Sequence, residues 1–442
     1  MTQRRQFASS IIALAVAVGL GACGRDEPKS EAKKEAATQP AVAPAPKEMT
    51  VRIGHAAPLT GGIAHLGKDN EQGARLAIEQ ANAKGLTIGG AKVKFELLAE
   101  DDEEKPDRGP IIAQKFADAK VAGVVGHLNS GVTIPASAVY NQAGIPMVSG
   151  SATNPKLTEQ GFKNIFRVVG RDDQQGPAIA SFLSSEYKLK TVAVIDDATA
   201  YGEGLANEVE KTLKAAGVQI VAREKTNDKA TDFKAILTKM KGRGPDAVFY
   251  GGMDATGGPM LKQARELGIK SVFAFGDGAC TSEMAKLAGG AAEGLICSQA
   301  GLPVEAASKD FVTSFTGKYG EIKQYAPFTH DAAQLIVTAM QKADSTDPAK
   351  YLPELQKISM NGSTGKIEFD EKGDRKNAEI TIFTLKDGKV VPVGVVQAGK
   401  SYAFAEFMGM VTAAAPTAAP AAAPTPAPAP ATPPAPAEAP KK

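Results

Sequence analysis

Strand-like and helix-like runs alternate along most of this chain, and that alternation leaves few architectures open to it. Residues 51–56, 93–98, 121–125 and 145–148 read as strands. Between them, 70–83, 111–119 and 134–142 read as helices, the first with Ala74, Ala77, Ile78 and Ala81 at helical spacing. A βαβα order of this kind argues for a parallel sheet covered on both faces. After 165–169 and Arg171-Asp172-Asp173 the pattern begins afresh. Strands at 192–195, 218–222, 247–250, 272–275 and 294–297 then alternate with helices at 176–186, 205–215, 233–240 and 259–267. From about residue 303 the chain turns mostly helical (311–319, 332–343), before two late strands at 380–385 and 390–396. The expected fold class is α/β, with two doubly wound parallel-sheet lobes joined by several chain crossings. The stretch 50–410 exceeds what one core usually accommodates, which also favours two domains.

The ends read differently. Arg4 and Arg5 precede an apolar run that stops at Leu20-Gly21-Ala22-Cys23. A basic start, a short apolar core and small residues before a cut mark an export signal over 1–22. The run is too short to span a bilayer comfortably. The cysteine after Leu-Gly-Ala fits a bacterial lipobox, so Cys23 is expected as the lipidated mature N-terminus. Gly24 in place of aspartate favours the outer membrane. Residues 23–49 read as a flexible tether, and 411–442 as an Ala/Pro-rich low-complexity tail with extended segments, both disordered.

Of 51 Lys+Arg and 49 Asp+Glu, the signal carries two basic residues and no acidic one, so the mature chain is near neutral. That argues against a nucleic-acid partner, which normally requires a basic surface. Cys280 and Cys297 remain as an even pair in an exported chain, where bridging is expected and two free buried thiols are the alternative. The metal-ligand, base–nucleophile and phosphate-loop patterns of an enzyme are not found, so neither cofactor nor metal is expected.

Four loop runs carry the chemistry: Gly126-His127-Leu128-Asn129-Ser130, Ser151-Ala152-Thr153, Tyr201-Gly202-Glu203-Gly204 and Gly276-Asp277-Gly278. Each follows a strand-like run, where a parallel sheet collects free N–H groups at one edge. The first two offer hydroxyls and N–H groups to a carboxylate; the last offers a carboxylate to an ammonium. From local sequence alone Ser130 serves equally well as a helix N-cap, and Asp277 as a solvated turn residue. His65 reads as solvated, and His127 as a structural donor at the sheet edge. The run Glu100-Asp101-Asp102-Glu103-Glu104 reads as a solvated acidic loop, and Asp254 as a helix N-cap or, failing that, a second carboxylate.

In this order the four runs resemble the branched-chain (leucine/isoleucine/valine) amino-acid binding proteins of ABC importers, type I periplasmic binding proteins, over about residues 50–400. The resemblance implies a three-crossing hinge near Gly170, Ala300 and Asn377. It divides the chain into lobe 1 (50–170 and 301–377) and lobe 2 (171–300 and 378–410). It further implies that Asn129 and Ser130 meet the ligand carboxylate, and that Ser151, Ala152 and Thr153 serve both poles. Tyr201 would cover the ligand, and Asp277, where relatives carry glutamate, would pair with the ammonium. Met253 stands where relatives carry tyrosine, and Leu66 where they carry an aromatic pocket wall. The implied partners are an amino acid, an ABC-type permease and a membrane reached through the lipid anchor, for a monomer working in the periplasm. The alternative is a non-transport lipoprotein that regulates a cell-envelope enzyme with the same two-lobed fold.

Overall fold

A computed structural model describes residues 47–414, with the side chains of 412–414 left out. Cys23, the signal, most of the tether and nearly all of the tail lie outside the described residues; the helix Phe404–Ala414 runs into the start of the expected tail.

Six strands form the first sheet: β1 (Lys47–Ala57), β2 (Thr87–Ile88), β3 (Ala91–Asp101), β4 (Gly123–Gly126), β5 (Met147–Ser149) and β6 (Ile165–Arg167). Their order is β2-β3-β1-β4-β5-β6, parallel except where β2 pairs with β3. The second sheet begins with β7 (Thr191–Asp196), β8 (Gln219–Lys225), β9 (Ala247–Gly251), β10 (Val272–Phe275) and β11 (Ile296–Gln299), all parallel. A small hairpin follows, β12 (Ser359–Gly362) and β13 (Gly365–Glu368). Then β14 (Ile380–Lys386), β15 (Lys389–Gln397) and β16 (Lys400–Ala403) extend the second sheet in antiparallel fashion, giving β16-β15-β14-β11-β10-β9-β7-β8.

The residues explain the difference. Strand β9 is buried at every position and β7 at all but its first, the continuous apolar run of a strand with helices on both faces. Strand β15 alternates between exposed and half-buried over its first four residues, and Pro392, which has no N–H to give, stands where the register shifts. The sequence reading thus needs an addition: the late strands are antiparallel, and β12, β13 and β16 were not foreseen.

Helix starts were read too late. The helix expected over 70–83 spans Ala64–Ala83, so His65, Leu66 and Gly67 are its first turn and not a loop. Gly67 looks like a breaker, but a side chain there would collide with the Pro58 carbonyl, so the glycine serves close packing. This helix packs on Ala326–Lys342. Asp69 makes the join: its carboxylate accepts the N–H groups of Lys323 (2.9 Å), Gln324 (3.0 Å), Tyr325 (2.7 Å) and Ala326 (2.8 Å). Ala326 is the first helical residue and the other three lead into it, so the carboxylate gathers the entry of that helix.

The chain passes between the sheets after β6, after β11 and before β14. The passages touch: Gly170 N–H donates to the Ala300 carbonyl at 2.8 Å, and a side chain on Gly170 would meet Ile380 and Ala378. Beside them, fully buried Arg167 binds Asp374 at 2.6 Å and the carbonyls of Ala152 and Asn154 at 2.9 Å each. Burial pulls the guanidinium of Arg167 below its ordinary pKa, against the charge of Asp374. One apolar cluster runs from Ile53 and Phe328 to Val194 and Leu205, through Leu128, Tyr201, Met253 and Tyr325. The two sheets therefore share a core where their strand ends meet.

Candidate ligand-binding cleft

Strand β4 leads through Leu128 and Asn129 into the helix Ser130–Gln142. Asn129, not Ser130, is the N-cap; its backbone is extended (φ −77°, ψ 133°) and its side chain caps nothing. Ser130 and Gly131 thus hold the first two helical N–H groups, which have no intrahelical acceptor and sit at the positive end of the helix dipole. The Ser130 hydroxyl accepts the Asn154 N–H at 3.3 Å. Ser151, just after β5, donates to the Leu128 carbonyl at 3.2 Å and accepts from Asn70 at 3.3 Å.

The other wall is acidic. Asp277 opens a short 3-10 turn after β10. Its carboxylate accepts from Tyr201 (2.8 Å), Gln175 (2.9 Å) and Tyr325 (2.8 Å). Burial pushes Asp277 above its ordinary pKa, while those three hydrogen bonds pull it back. Asp172, the first residue of the helix Asp172–Tyr187, shares Gln175 at 3.3 Å. Burial, and then the charge of Asp277, push Asp172 up to about 8. A hydrogen bond with the Thr153 hydroxyl pulls it back. A cation arriving here would find two carboxyl groups.

A cavity of about 10 Å³ remains between the walls, lined by Leu128, Asn129, Ser130, Ser151, Tyr201, Met253, Asp277 and Tyr325. That is room for about one water, so a larger guest enters only if the walls part. A roomier groove of about 580 Å³ lies at the opposite ends of the first sheet's strands, around Arg52, Lys120 and Ile145. Parallel sheets bind ligands at the carboxyl ends of their strands, which is where the small cavity sits.

The structure brings Asn129, Ser130, Ser151, Tyr201, Met253 and Asp277 together around one space. It does not bring Leu66 there: that side chain is buried in the core from the first turn of its helix. Ala152 is also elsewhere engaged, its N–H on Ser149 (3.0 Å) and its carbonyl on Arg167. Thr153 lies one layer back, its carbonyl accepting the Asp172 N–H at 3.0 Å. Cys280 and Cys297 form a disulfide, Cα atoms 5.3 Å apart, behind the Asp277 turn.

Of the other expectations, His127 agrees with its reading as a structural donor and the rest need correction. His65 is not solvated; its Nε2 meets Asp254 at 2.8 Å. Asp254 is the first helical residue, after the Met253 cap, and its carboxylate faces His65 and Thr281, not the cavity. His127 is fully buried between Asp102 (3.0 Å) and the Tyr140 hydroxyl (2.9 Å). The acidic run is largely engaged: Asp101 accepts the Leu59 N–H at 2.8 Å, Asp102 is buried, and Glu104 pairs with Lys229 at 3.0 Å. Burial pushes Glu104 up to about 7 against the pull of Lys229.

Tyr325, Leu128, Asp172 and Gln175 were missed as cleft residues. Tyr325 arrives from a segment far along the chain with no motif of its own. The signal for Asp172 was visible in Arg171-Asp172-Asp173, which was read only as the start of the second series. Among the described residues there is no group of three or more His, Cys, Asp or Glu that could hold a metal ion. No described helix is long and apolar enough to cross a membrane.

The geometry agrees with what the chain is similar to. Residues 50–389 match a family model described as periplasmic binding protein. A leucine-, isoleucine-, valine-, threonine- and alanine-binding protein of Pseudomonas aeruginosa is 35% identical over 336 residues, 76% of this chain and 89% of the relative. A Leu/Ile/Val-binding protein homolog of Brucella abortus is 37% identical over 340 residues, 76% of this chain and 91% of its own. Among solved structures, a leucine binding protein of Thermotoga maritima superposes with a TM-score of 0.73 at 29% identity, covering 79% of this chain and 99% of the other. A branched-chain amino acid transporter substrate binding protein of Streptococcus pneumoniae, in complex with isoleucine, gives 0.71 at 28% identity, covering 79% and 100%. Two sheets meeting at a cleft with a helix N-terminus on one side and buried acids on the other, matched over this length, place the chain in the periplasmic binding protein family.

Proposed function

We propose that this protein is an extracytoplasmic solute-binding lipoprotein, anchored through Cys23, that captures an amino acid and delivers it to an ABC importer. A branched-chain or other aliphatic amino acid is the ligand the reading favours. The observation that carries it is the division of charge: a positive helix end with Ser130 on one wall, and Asp277 with Asp172 on the other. A zwitterion satisfies both walls at once. A ligand with one pole missing leaves a buried charge unpaired, at a cost of several kcal/mol. Micromolar affinity requires about 8 kcal/mol, which charge-assisted hydrogen bonds at about 1.5–3 kcal/mol each and one buried aliphatic side chain approach together.

Gly170, Ala300 and Asn377 would act as the hinge, because short parallel passages limit two lobes to opening and closing. Leu128 and Met253 would meet the aliphatic part of the guest. The named ligands of the relatives support this reading, since 89% and 91% of those relatives' lengths are matched.

Titration calorimetry with a panel of amino acids and their deaminated analogues tests it. Leucine, isoleucine or valine should bind, and Asp277→Ala should weaken them about a hundredfold while affecting the deaminated analogue far less. Equal losses for both ligands would show that Asp277 does not meet an ammonium. No binding across the panel would remove the transport role.

A further inference from the structure

We infer that His65, Asp254 and Thr281 form a closure latch, outside the ligand cavity, that positions the two lobes and sets how long a captured guest is held. This rests on the amino-acid reading above for its ligand but not for its geometry. His65 stands on the helix Ala64–Ala83, which packs on β1 and β3 of the first sheet. Asp254 opens the helix Asp254–Glu266 after β9, and Thr281 caps the helix Ser282–Ala288 after β10, both at the edge of the second sheet. The His65 Nε2–H donates to Asp254 Oδ2 at 2.8 Å, and the Thr281 hydroxyl donates to the same oxygen at 2.6 Å. The Asp254 side chain is 0% exposed and that of His65 20% exposed.

The physical consequence follows from which partner moves. Thr281 and the N-terminus of the helix Asp254–Glu266 stay with Asp254 when the lobes part, because all three sit on the same sheet. Only His65 leaves. Its hydrogen bond exists in the closed arrangement alone, so its whole free energy favours closure. Buried Asp254 already has Oδ1 without a partner, and loss of His65 leaves Oδ2 with a single donor. Residue 253, next to the latch, lines the cavity, and Thr281 directly follows the bridged Cys280 behind the Asp277 turn. The latch therefore holds together the two helix starts beside the second-lobe wall and ties them to the opposite lobe.

The test uses the full chain with L-leucine as probe and stopped-flow measurement of binding and release. His65→Ala should speed leucine release about tenfold, the worth of one hydrogen bond to a charged group. The association rate should not fall, because the open population grows, and the variant should remain folded without leucine. His65→Gln, whose amide N–H can reach Asp254, should recover most of the slow release. Paired spin labels on the two lobes should show a larger open population in His65→Ala. Unchanged release in His65→Ala, or no recovery in His65→Gln, overturns the latch. If the wild type binds no amino acid at all, the proposed function fails by itself; the label distances then decide, and identical distributions in wild type and His65→Ala overturn the latch independently.

Discussion

At the scale of single residues, the acid wall is the most informative part of the molecule. Asp277 already has three donors, whereas Asp172 has only Gln175 and the Thr153 hydroxyl. An incoming ammonium would thus gain most at Asp172, a position whose burial holds it up at about 8. Near pH 7 that carboxyl is mostly protonated, and a nearby positive charge lowers its pKa. Ligand binding should therefore release a fraction of a proton at pH 7 and almost none above pH 9, measurable as a buffer-dependent calorimetric enthalpy. Asp172→Asn should abolish the release. The sign for folding is the reverse of an ordinary salt-bridged aspartate. A pKa raised above the unfolded value contributes stability that is full below about pH 4 and lost as pH rises through about 8. Chemical denaturation across that window should give a flatter stability profile for Asp172→Asn than for the wild type. Neither residue's state was legible in sequence: the types were visible, but their burial and shared Gln175 come from elements far apart along the chain.

At the scale of elements, the helix and strand alternation was readable because each parallel strand is buried on both faces, and so shows as an apolar run such as Val192–Ile195 within β7. Boundaries were less readable. Polar first turns such as His65 to Asp69, or Asp254 to Gly258, resemble loops until a neighbouring element gives them partners. Asp69 illustrates this, as its use is to cap a helix more than 250 residues later. The Asp277 turn depends on a covalent element too, since the bridge between Cys280 and Cys297 closes a loop with a separation of 17 residues. Removing a bridge over a loop of that length costs about 3 kcal/mol. Cys280→Ser/Cys297→Ser should lower the denaturation free energy by about that amount and weaken leucine binding, because the loop that carries Asp277 and Thr281 gains freedom.

At the scale of the whole molecule, two sheets share one apolar cluster only where their strand ends approach, and the polar cleft lies in that seam. Every cavity-lining residue falls between positions 128 and 325, inside the stretch matched by the family model. Deleting residues 415–442 should leave the leucine dissociation constant within about twofold of the intact chain, as read by calorimetry; a tenfold change would give the tail a place in binding. The amino-acid sequence by itself determined the two βα series, most of the loops that border the cleft, and the cysteine pair. Those are local properties: periodicity, glycine-flanked turns and small sets of residue types. The tertiary structure alone decided which loops share a space, that Leu66 turns into the core, that Asp172 and Tyr325 join Asp277, and that His65 crosses to Asp254. Closure brings together side chains separated by tens to hundreds of residues, and no local pattern records a partner that distant.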